Sequence, residues 1–330
     1  MISIKNESNN PYFNLALEEY VLKYLDPKED YVILWQNEPS IIIGRNQNTI
    51  GEINTAYVKE NNVNVVRRLS GGGAVYHDLG NLNFTFIITR EDDGDINNFE
   101  KFTKPVIKAL KQFGIRAELS GRNDIVIDGK KFSGNAQYFY KKRLLHHGTI
   151  LFNSDLTLVQ EALNVKQDKI ESKGIKSVKS RVTNIYPYLA EKIDIHEFKQ
   201  TLLDYLLEDE KSRNEYILTE ADLSKIQALM EERYSKWEWN YGESPRYRIQ
   251  KSRRFPWGGI EIGLRVVDGL IEDASIFGDF FSERDISDLI DKLKGTKYEE
   301  SEIEKVINGL DMTAFFKGIE EGDFLKCVFH

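Results

Sequence analysis

The 330-residue chain contains a single cysteine, Cys327, close to its C-terminus. One thiol excludes an internal disulfide, and a thiolate metal cluster needs several thiols. Apolar residues surround it in the run Phe324–Phe329, which predicts a strand-like segment where the thiol packs and does not react. The cysteine count therefore excludes a disulfide-stapled protein and a cysteine-based metal centre.

Long apolar runs are also missing, and segments such as Tyr31–Trp35 and Ile41–Ile43 are the longest. A membrane-spanning helix needs about 20 apolar residues. The segment Met1–Asn10 lacks the apolar core and the small-residue cleavage site of a signal peptide. We therefore expect a cytoplasmic protein with no membrane partner.

Positive charge is outweighed by negative charge, with 45 Lys and Arg against 53 Asp and Glu and a net charge of −8. Proteins that bind nucleic acids neutralise many phosphates with Lys and Arg. We therefore expect no nucleic-acid partner, although a local basic site for one nucleotide is compatible with this balance.

Histidine is scarce, with five in the chain, and no His-Glu-x-x-His motif occurs. His146 and His147 are adjacent, so in a strand they point to opposite faces and cannot share a metal ion. We expect one of them in the core and the other half-exposed. His77 and Asp78 diverge in the same way, and we assign His77 to structure or to pocket lining.

The patterns that are present indicate mixed α and β structure in a chain long enough for two domains. Asn10 and Pro11 precede apolar residues at helical spacing and predict a capped helix. Short β-rich runs follow, and residues 97–113 have helical spacing again up to Gly114. The first part of the chain therefore combines strands with flanking helices.

A second unit is predicted after the Gly- and Pro-containing segment 237–245. The alternating runs 260–266 and 270–276 are joined by an Asp-Gly pair, which is typical of a tight turn. Two helices with capping boxes that start at Ser282 and Ser301 come next. We therefore expect a large domain over residues 1–246 and a small α+β domain over residues 247–330.

An Asp-Gly pair at residues 128–129 predicts a two-residue hairpin turn. In that register Asp124 faces Ser133, and Lys131 lies diagonally from Asp124, about 7 to 8 Å away at the backbone. The polar side chains on this face of the ribbon are those of Arg122, Asp124, Lys131 and Ser133. The pattern is compatible with a surface ion pair or with a lysine that holds an anionic substrate.

Arg67 and Arg68 precede three successive glycines, Gly71–Gly73. Glycines let a backbone approach an anion closely, and arginine adds permanent bidentate charge. The segment is either a phosphate-binding loop or a tight turn, and it matches neither the P-loop nor the Rossmann fingerprint. Residues 173–184 are a further cluster of cations and hydroxyls, which taken alone favours a solvated face over a mobile anion-binding loop.

Together these residues resemble the lipoate-protein ligase family over most of the chain. The matching motifs are residues 10–20, 34–37, 43–48, 67–83, 121–125, 131–137, 147–149 and 176–184. The resemblance implies an α+β fold. Mixed β-sheets with flanking helices would form a catalytic domain related to biotin ligases and class II synthetase cores, followed by a small α+β accessory domain.

The resemblance also implies a reaction in two steps. Lipoate and ATP give lipoyl-adenylate and pyrophosphate, and the lipoyl group is then transferred to a lysine of an acceptor protein. The implied partners are lipoate, the lipoyl domains of 2-oxoacid dehydrogenase complexes and the glycine cleavage H protein. ATP with Mg²⁺ is the implied co-substrate, and no tightly bound prosthetic group is expected.

The family's site residues are carried over by position. Lys131 matches the catalytic lysine that contacts both the lipoyl carboxyl and the α-phosphate. The expected ATP-binding residues are Arg68, Gly73, Ala74, Val75, Tyr76 and Lys131. The expected lipoate-binding residues are Ser70, Gly71, Gly72, His77, Asn123 and Lys131. The loop expected to close over the adenylate contributes Lys176, Ser177, Val178, Ser180 and Arg181. Because hard oxygen donors suit Mg²⁺, Asp124 is the first candidate metal ligand and Thr149 the second.

Two other functions remain open at this point. One is an octanoyl or lipoyl transferase of the same fold, which needs no ATP and in some enzymes uses a cysteine thioester. The other is a non-catalytic protein that binds lipoate or lipoyl domains. Cys327 is poorly placed to act as a nucleophile, and ATP dependence and turnover discriminate among the three.

Overall fold

The computed structural model describes residues 1–90, 98–163, 182–207, 214–241, 249–267 and 269–329, apart from the side chain of Ile50. They form two compact units. The first comprises Met1–Ile42, Ile53–Val66 and Val75–Asn240, and the second comprises Ile43–Glu52, Arg67–Ala74 and Tyr241–His330. The expected domain boundary between residues 246 and 247 lies outside the described residues.

The elements of the described residues alternate along the chain as the sequence predicts. The strands are β1 Ile2–Ile4, β2 Tyr31–Trp35, β3 Ser40–Ile43, β4 Asn64–Arg67, β5 Val75–His77, β6 Asn81–Thr89, β7 Glu118–Ser120, β8 Asp124–Ile127, β9 Lys130–Tyr140, β10 Arg143–Leu151, β11 Glu215–Tyr216, β12 Ile249–Phe255, β13 Gly258–Val267 and β14 Leu270–Gly278. The α-helices are α1 Pro11–Tyr24, α2 Thr49–Glu52, α3 Thr55–Glu60, α4 Phe99–Gln112, α5 Leu156–Ala162, α6 Ile195–Leu206, α7 Glu220–Leu229, α8 Trp237–Asn240, α9 Ile286–Leu293, α10 Glu300–Asn308, α11 Met312–Phe315 and α12 Asp323–Phe329. A 3₁₀ turn covers Tyr186–Tyr188 and a π-helical turn covers Met230–Tyr234.

An eight-stranded mixed sheet, in the order β11-β1-β2-β6-β10-β9-β8-β7, forms the first unit's framework. β1 runs parallel to both its neighbours, and the strands from β2 onward pair antiparallel. One face packs with α4 and α6 in a large apolar core that includes Phe84, Val106 and Phe198. Because helices or loops cover both faces of its centre, β2 is buried along its whole length.

Helix α1 begins as the sequence predicts. The Asn10 side chain accepts hydrogen bonds from the backbone N–H groups of Tyr12 and Phe13, and Pro11 occupies the first helical position. Two carboxylates, Glu18 and Glu19, are buried on this helix. Buried carboxylates need partners, and Glu19 receives them from Lys23, Arg233 and Tyr234.

The second unit contains a three-stranded antiparallel sheet, β12-β13-β14, which packs on helices α9 to α12. The segments 43–52 and 67–74 belong to the same unit. The Gly278 N–H donates to the Asn46 carbonyl at 2.5 Å, and Arg45 pairs with Asp285 at 2.9 Å. The two early segments are therefore tied to residues far along the chain.

Three local predictions for the second unit are wrong. Helix α9 is capped by Asp285, whose side chain accepts from the Ser287 N–H, because the Ser282 hydroxyl instead accepts from Asn46. Helix α10 starts after Glu299, which places Ser301 inside the first turn. Cys327 is buried as expected but lies in helix α12 and not in a strand, because its segment packs by helical spacing.

Candidate active site

Lys131 and Asp124 meet between the neighbouring strands β9 and β8, next to the edge strand β7 of the eight-stranded sheet. Asp124 opens β8, Lys131 is the second residue of β9, and the Lys131 Nζ lies 2.7 Å from the Asp124 Oδ1. The side chains are 38% and 27% exposed, so a ligand from solvent can reach both. The predicted contact between them is confirmed.

The predicted hairpin register holds only near the turn. Val126 pairs with Lys131 as expected, but a β-bulge at Phe132 then pairs Asp124 with Gly134. Ser133 therefore lies opposite Ile125, on the core face, and its expected place beside Lys131 is wrong. The physical reason is that the bulge adds one residue to β9, so that both Phe132 and Ser133 face the core while Lys131 and Gly134 stay on the opposite face. Arg122 precedes β8, in a turn outside the paired strands.

One row of residues crosses the sheet to reach Lys131. Trp35 pairs with Asn83, and Asn83 pairs with Thr149. The Gly134 N–H donates to the Thr149 Oγ1 at 3.1 Å, and Gly134 pairs with Asp124. A Cβ on Gly134 would lie 2.9 Å from the Lys131 Nζ, so the amine lies directly over Gly134. Directly paired residues share a face, so Thr149 and Asp124 lie on the same face as the amine.

A buried cluster lies in the next row of the same face. His147 pairs with Thr85 across β10 and β6, and its Nδ1 is 3.0 Å from a Glu18 carboxylate oxygen. The Thr85 hydroxyl donates to Glu18 and accepts from the Trp35 indole. His147 is therefore buried, and the expectation of a half-exposed histidine is wrong, because α1 covers it. Sequence reasoning missed Glu18, since no motif marks a carboxylate on an amphipathic helix as buried.

The other expected site residues of the first unit lie in two places, strand β5 and the turn that precedes β8. Val75, Tyr76 and His77 form β5, where burial raises the pKa of Tyr76 to about 12. The His77 Nδ1 lies 3.1 Å from the Asn37 Nδ2, as expected for a structural or lining role. Asn123 directs its side chain toward the core side of the sheet, where its Nδ2 donates to the Asn135 carbonyl at 2.5 Å.

The expected adenylate-loop residues lie outside the described residues. They are Lys176, Ser177, Val178, Ser180 and Arg181. The described chain resumes at Val182, which forms a parallel bridge with Lys131, and the Thr183 N–H donates to the Lys131 carbonyl at 2.9 Å. The C-terminal end of the loop is thus anchored on the strand that carries the lysine.

The glycine-rich segment of the second unit is organised around Arg68. Its guanidinium donates to the Ser70 hydroxyl and to the carbonyls of Gly71 and Gly73 at 2.7 to 3.1 Å. Gly72 has φ +95°, which disfavours any residue with a Cβ, and Gly71 packs against the backbone at Phe280. The tight loop spans 70 to 74, and Ala74 follows its last glycine.

Arg67 is buried and lies in contact with the segment that follows β3. It donates to the carbonyls of Gly44, Arg45 and Gln47 and to the Thr49 hydroxyl. Burial, followed by the neighbouring Arg45 and Arg68, lowers the pKa of Arg67 to about 10. At neutral pH the guanidinium is still charged. Its hydrogen bonds to these carbonyl oxygens tie the segment 67–74 to the segment 43–52.

Metal-binding groups are sparse in the described part of the chain, where no three His, Cys, Asp or Glu side chains cluster to hold an ion. Mg²⁺ does not need such a cluster, because it keeps several waters and takes one or two protein oxygens plus substrate phosphates. A partly exposed carboxylate, Asp124, and a hydroxyl, Thr149, flank Gly134 on one face. This donor set fits the magnesium ion of a nucleotide complex.

Two family models match the chain. Residues 10–207 match the lipoyl protein ligase A/B catalytic domain, and residues 244–328 match the bacterial lipoate protein ligase C-terminus. The chain belongs to the lipoate-protein ligase family. The expected class of α+β fold, an enzyme domain followed by an accessory domain, is confirmed by this membership.

Individual ligases of this family support the assignment. Lipoate-protein ligase LplJ of Bacillus subtilis is 52% identical over 332 residues and covers 100% of both chains. A crystal structure of P. falciparum LipL1 in complex with lipoate matches with a TM-score of 0.79 at 30% identity, over 94% of each chain. A lipoate-protein ligase A structure bound with ATP matches with a TM-score of 0.64 at 27% identity, over 73% of this chain and 98% of that one. Among the described helices, none has the length and apolar character needed to span a bilayer.

Proposed function

We propose that this ligase couples lipoate to protein lysines in an ATP-dependent reaction through lipoyl-adenylate. The observation that carries the proposal is the Lys131 amine, which lies 2.7 Å from the Asp124 carboxylate with both side chains partly exposed to solvent. The lipoate-bound and ATP-bound relatives support the two small substrates, and the name of the Bacillus relative supports the reaction class.

The first step joins two anions. A lipoate carboxylate oxygen attacks the α-phosphorus of ATP, a P–O bond forms, and the bond to the pyrophosphate oxygen breaks. Two unit charges about 4 Å apart repel by about 4 kcal/mol at an effective dielectric constant near 20. The Lys131 ammonium can contact the carboxylate and the α-phosphate together, which lowers this repulsion and stabilises charge that develops on the phosphoryl oxygens.

Mg²⁺ bound with ATP neutralises charge on the departing pyrophosphate. Asp124 would hold the ion through its carboxylate and Thr149 through its hydroxyl, in agreement with the donor set described above. Asp124 also pairs with Lys131. The same carboxylate that orients the amine would therefore supply an oxygen ligand to the magnesium ion.

The other substrate contacts are assigned by the family match and the loop geometry. We assign ATP binding to Arg68, Gly73, Ala74, Val75, Tyr76 and Lys131, and lipoate binding to Ser70, Gly71, Gly72, His77, Asn123 and Lys131. The support within the second unit is the Arg68-braced loop, whose carbonyls are bonded inward to the guanidinium. Residues 176–181 would cover the adenylate, from an end anchored at Val182.

The second step transfers the lipoyl group to an acceptor. The lysine amine attacks the acyl carbonyl, an amide bond forms, AMP leaves, and the amine loses a proton. We propose as acceptors the lipoyl domains of 2-oxoacid dehydrogenase complexes and the glycine cleavage H protein, in the cytoplasm. The proposed division is a catalytic domain over residues 1–246 and an accessory domain over residues 247–330.

Mass spectrometry of a purified lipoyl domain tests the proposal directly. Incubation with the protein, lipoate and Mg-ATP is expected to add one lipoyl group, and omission of any one component is expected to abolish the addition. Lipoylation that persists without ATP would contradict the proposal and favour a transferase.

Cys327→Ser separates the ligase from a thioester transferase. Burial raises the pKa of the Cys327 thiol to about 11, so little nucleophilic thiolate exists at neutral pH. We expect the variant to retain full lipoylation. A complete loss of activity in a folded variant would point to a covalent cysteine intermediate.

A further inference from the structure

A buried hydrogen-bond chain runs along the core side of the sheet, behind the face that carries Lys131. The Gln137 Nε2 donates to the His146 Nδ1 at 3.1 Å, and the His146 Nε2 lies 3.2 Å from the Asn135 Oδ1. The Asn135 Nδ2 then donates to the Asn123 carbonyl at 3.0 Å. None of the substrate contacts assigned above explains His146, which is completely buried.

The donor and acceptor roles in this hydrogen-bond chain are determined from both of its ends. A carbonyl oxygen can only accept, so Asn135 must present its Nδ2 to Asn123 and its Oδ1 to His146. That arrangement requires a proton on the His146 Nε2. The Gln137 amide nitrogen can only donate, so the His146 Nδ1 carries no proton. Both ends therefore select the same neutral tautomer. Burial, and then the neighbouring His147, hold the pKa of His146 well below its usual value.

The imidazole has little room to rotate. Its ring stacks on Phe102 at 4.8 Å between centroids and contacts three further phenylalanine rings, those of Phe84, Phe86 and Phe99. Gly148 leaves the space that Asn135 fills, because a Cβ there would collide with the Asn135 Oδ1 and with Phe84. The histidine therefore holds the Asn135 amide in one orientation.

The other end of the chain reaches the proposed site. Asn135 binds the Asn123 carbonyl through its backbone N–H as well, at 3.0 Å, and the Asn123 side chain returns a bond to the Asn135 carbonyl. Asn123 directly precedes Asp124, the partner of Lys131. These three hydrogen bonds between Asn123 and Asn135 lie beside the turn at residues 121–123, which joins β7 to β8 and in which Gly121 and Arg122 are exposed.

We propose that His146 is a positioning residue for the Asp124–Lys131 pair. Through Asn135 it fixes the position of Asn123. Asn123 in turn fixes the next residue, Asp124, so that the Asp124 carboxylate stays in contact with the Lys131 amine. The effect on adenylation rests on the proposed function, whereas the hydrogen-bond connection from His146 through Asn135 to Asn123 does not.

His146→Phe tests the connection, because phenylalanine preserves the aromatic packing and removes both hydrogen bonds. The first readout needs no ligand: hydrogen exchange of the Asn135 backbone amide is expected to accelerate about tenfold, the equivalent of one lost hydrogen bond. Thr103→Val is the matched control. It removes a fully buried hydroxyl of α4 that donates to the Phe99 carbonyl and takes no part in the hydrogen-bond chain of His146. The exchange rate of the Asn135 amide is therefore expected to stay unchanged.

The second readout separates positioning from general destabilisation. In His146→Phe the kcat of lipoate-dependent pyrophosphate release is expected to fall about tenfold, with the transfer from preformed lipoyl-adenylate changed less than about twofold. Asn135→Ala is the second variant, and the double variant is expected to be no worse than the more severe single one.

Two results would overturn the proposal: unchanged exchange at Asn135, or a parallel fall of both half-reactions, which general destabilisation of the fold would give. If wild-type protein released no pyrophosphate with lipoate and Mg-ATP, the proposed function would fail, and the exchange measurement would still decide whether His146 holds Asn123. If His146→Phe failed to fold, the Asn135→Ala variant would decide by the same two readouts.

Discussion

Replacement of Lys131 by methionine should separate catalysis from stability. The Lys131–Asp124 pair is short, but its side chains are 38% and 27% exposed. Ion pairs at such sites contribute less than about 1 kcal/mol, so the free energy of unfolding should fall by no more than that. Loss of one preorganised charge at a developing oxyanion costs about 10²- to 10³-fold in rate, which is about 3 to 4 kcal/mol. We therefore expect a folded protein with almost no adenylation.

Lys130→Met provides the matched control on the same hairpin. Lys130 is exposed and pairs with Ile127, so the substitution removes the same charge without touching Asp124. The measurements are lipoate-dependent pyrophosphate release in single turnover and urea unfolding of both variants. The reasoning is refuted if the two variants release pyrophosphate at similar rates, or if Lys131→Met alone loses more than about 3 kcal/mol of stability, since either result would make Lys131 structural.

Three further predictions follow from close contacts. Gly134→Ala should slow adenylation about 10- to 100-fold in a folded protein, because the new Cβ would lie 2.9 Å from the Lys131 Nζ; unchanged pyrophosphate release would contradict this. Arg67→Ala should cost about 3 kcal/mol or more in urea unfolding, because it leaves several buried carbonyls without a donor; a loss below about 1 kcal/mol would contradict it. Burial alone would raise the pKa of Asp222, but hydrogen bonds from Tyr20 and Thr219 outweigh it and lower the pKa to about 2. Its stabilisation is therefore complete above about pH 4 and lost as the pH falls through 2, and acid unfolding of Asp222→Asn should lack this component.

Much of the framework could be predicted from local patterns. The Asn10 cap and Pro11 define the start of α1, and the short β-rich runs become strands β2, β3, β4 and β6. The contact of Lys131 with Asp124 also followed from one turn dipeptide, because a two-residue loop determines which residues face each other next to it.

The parts that sequence reasoning missed depend on distant contacts. The bulge at Phe132 shifts the pairing of β9 by one residue, which a rule based on the turn dipeptide alone does not contain. Glu18 is buried because Thr85 and His147 lie above it, while its spacing on α1 resembles that of an exposed helix residue. Helix α9 starts after Asp285, whose side chain caps it, whereas α10 starts after Glu299, whose side chain makes no capping bond, so neither start follows from the predicted capping boxes.

The extra residue at Phe132 has a consequence for how this hairpin can change by insertion or deletion. If the same residues paired without a bulge, every side chain of β9 beyond Phe132 would exchange sides of the sheet, so that Asn135 would leave His146 and Gly134 would no longer lie beneath the Lys131 amine. A one-residue deletion at 132 or 133 is therefore expected to straighten β9 and leave Gly134 and Asn135 on their present sides, whereas a one-residue insertion there, which adds a second unpaired residue, is expected to be worse than most substitutions. The number of residues between the turn and Gly134 therefore determines which side chains of β9 lie beside Lys131 and which face the core.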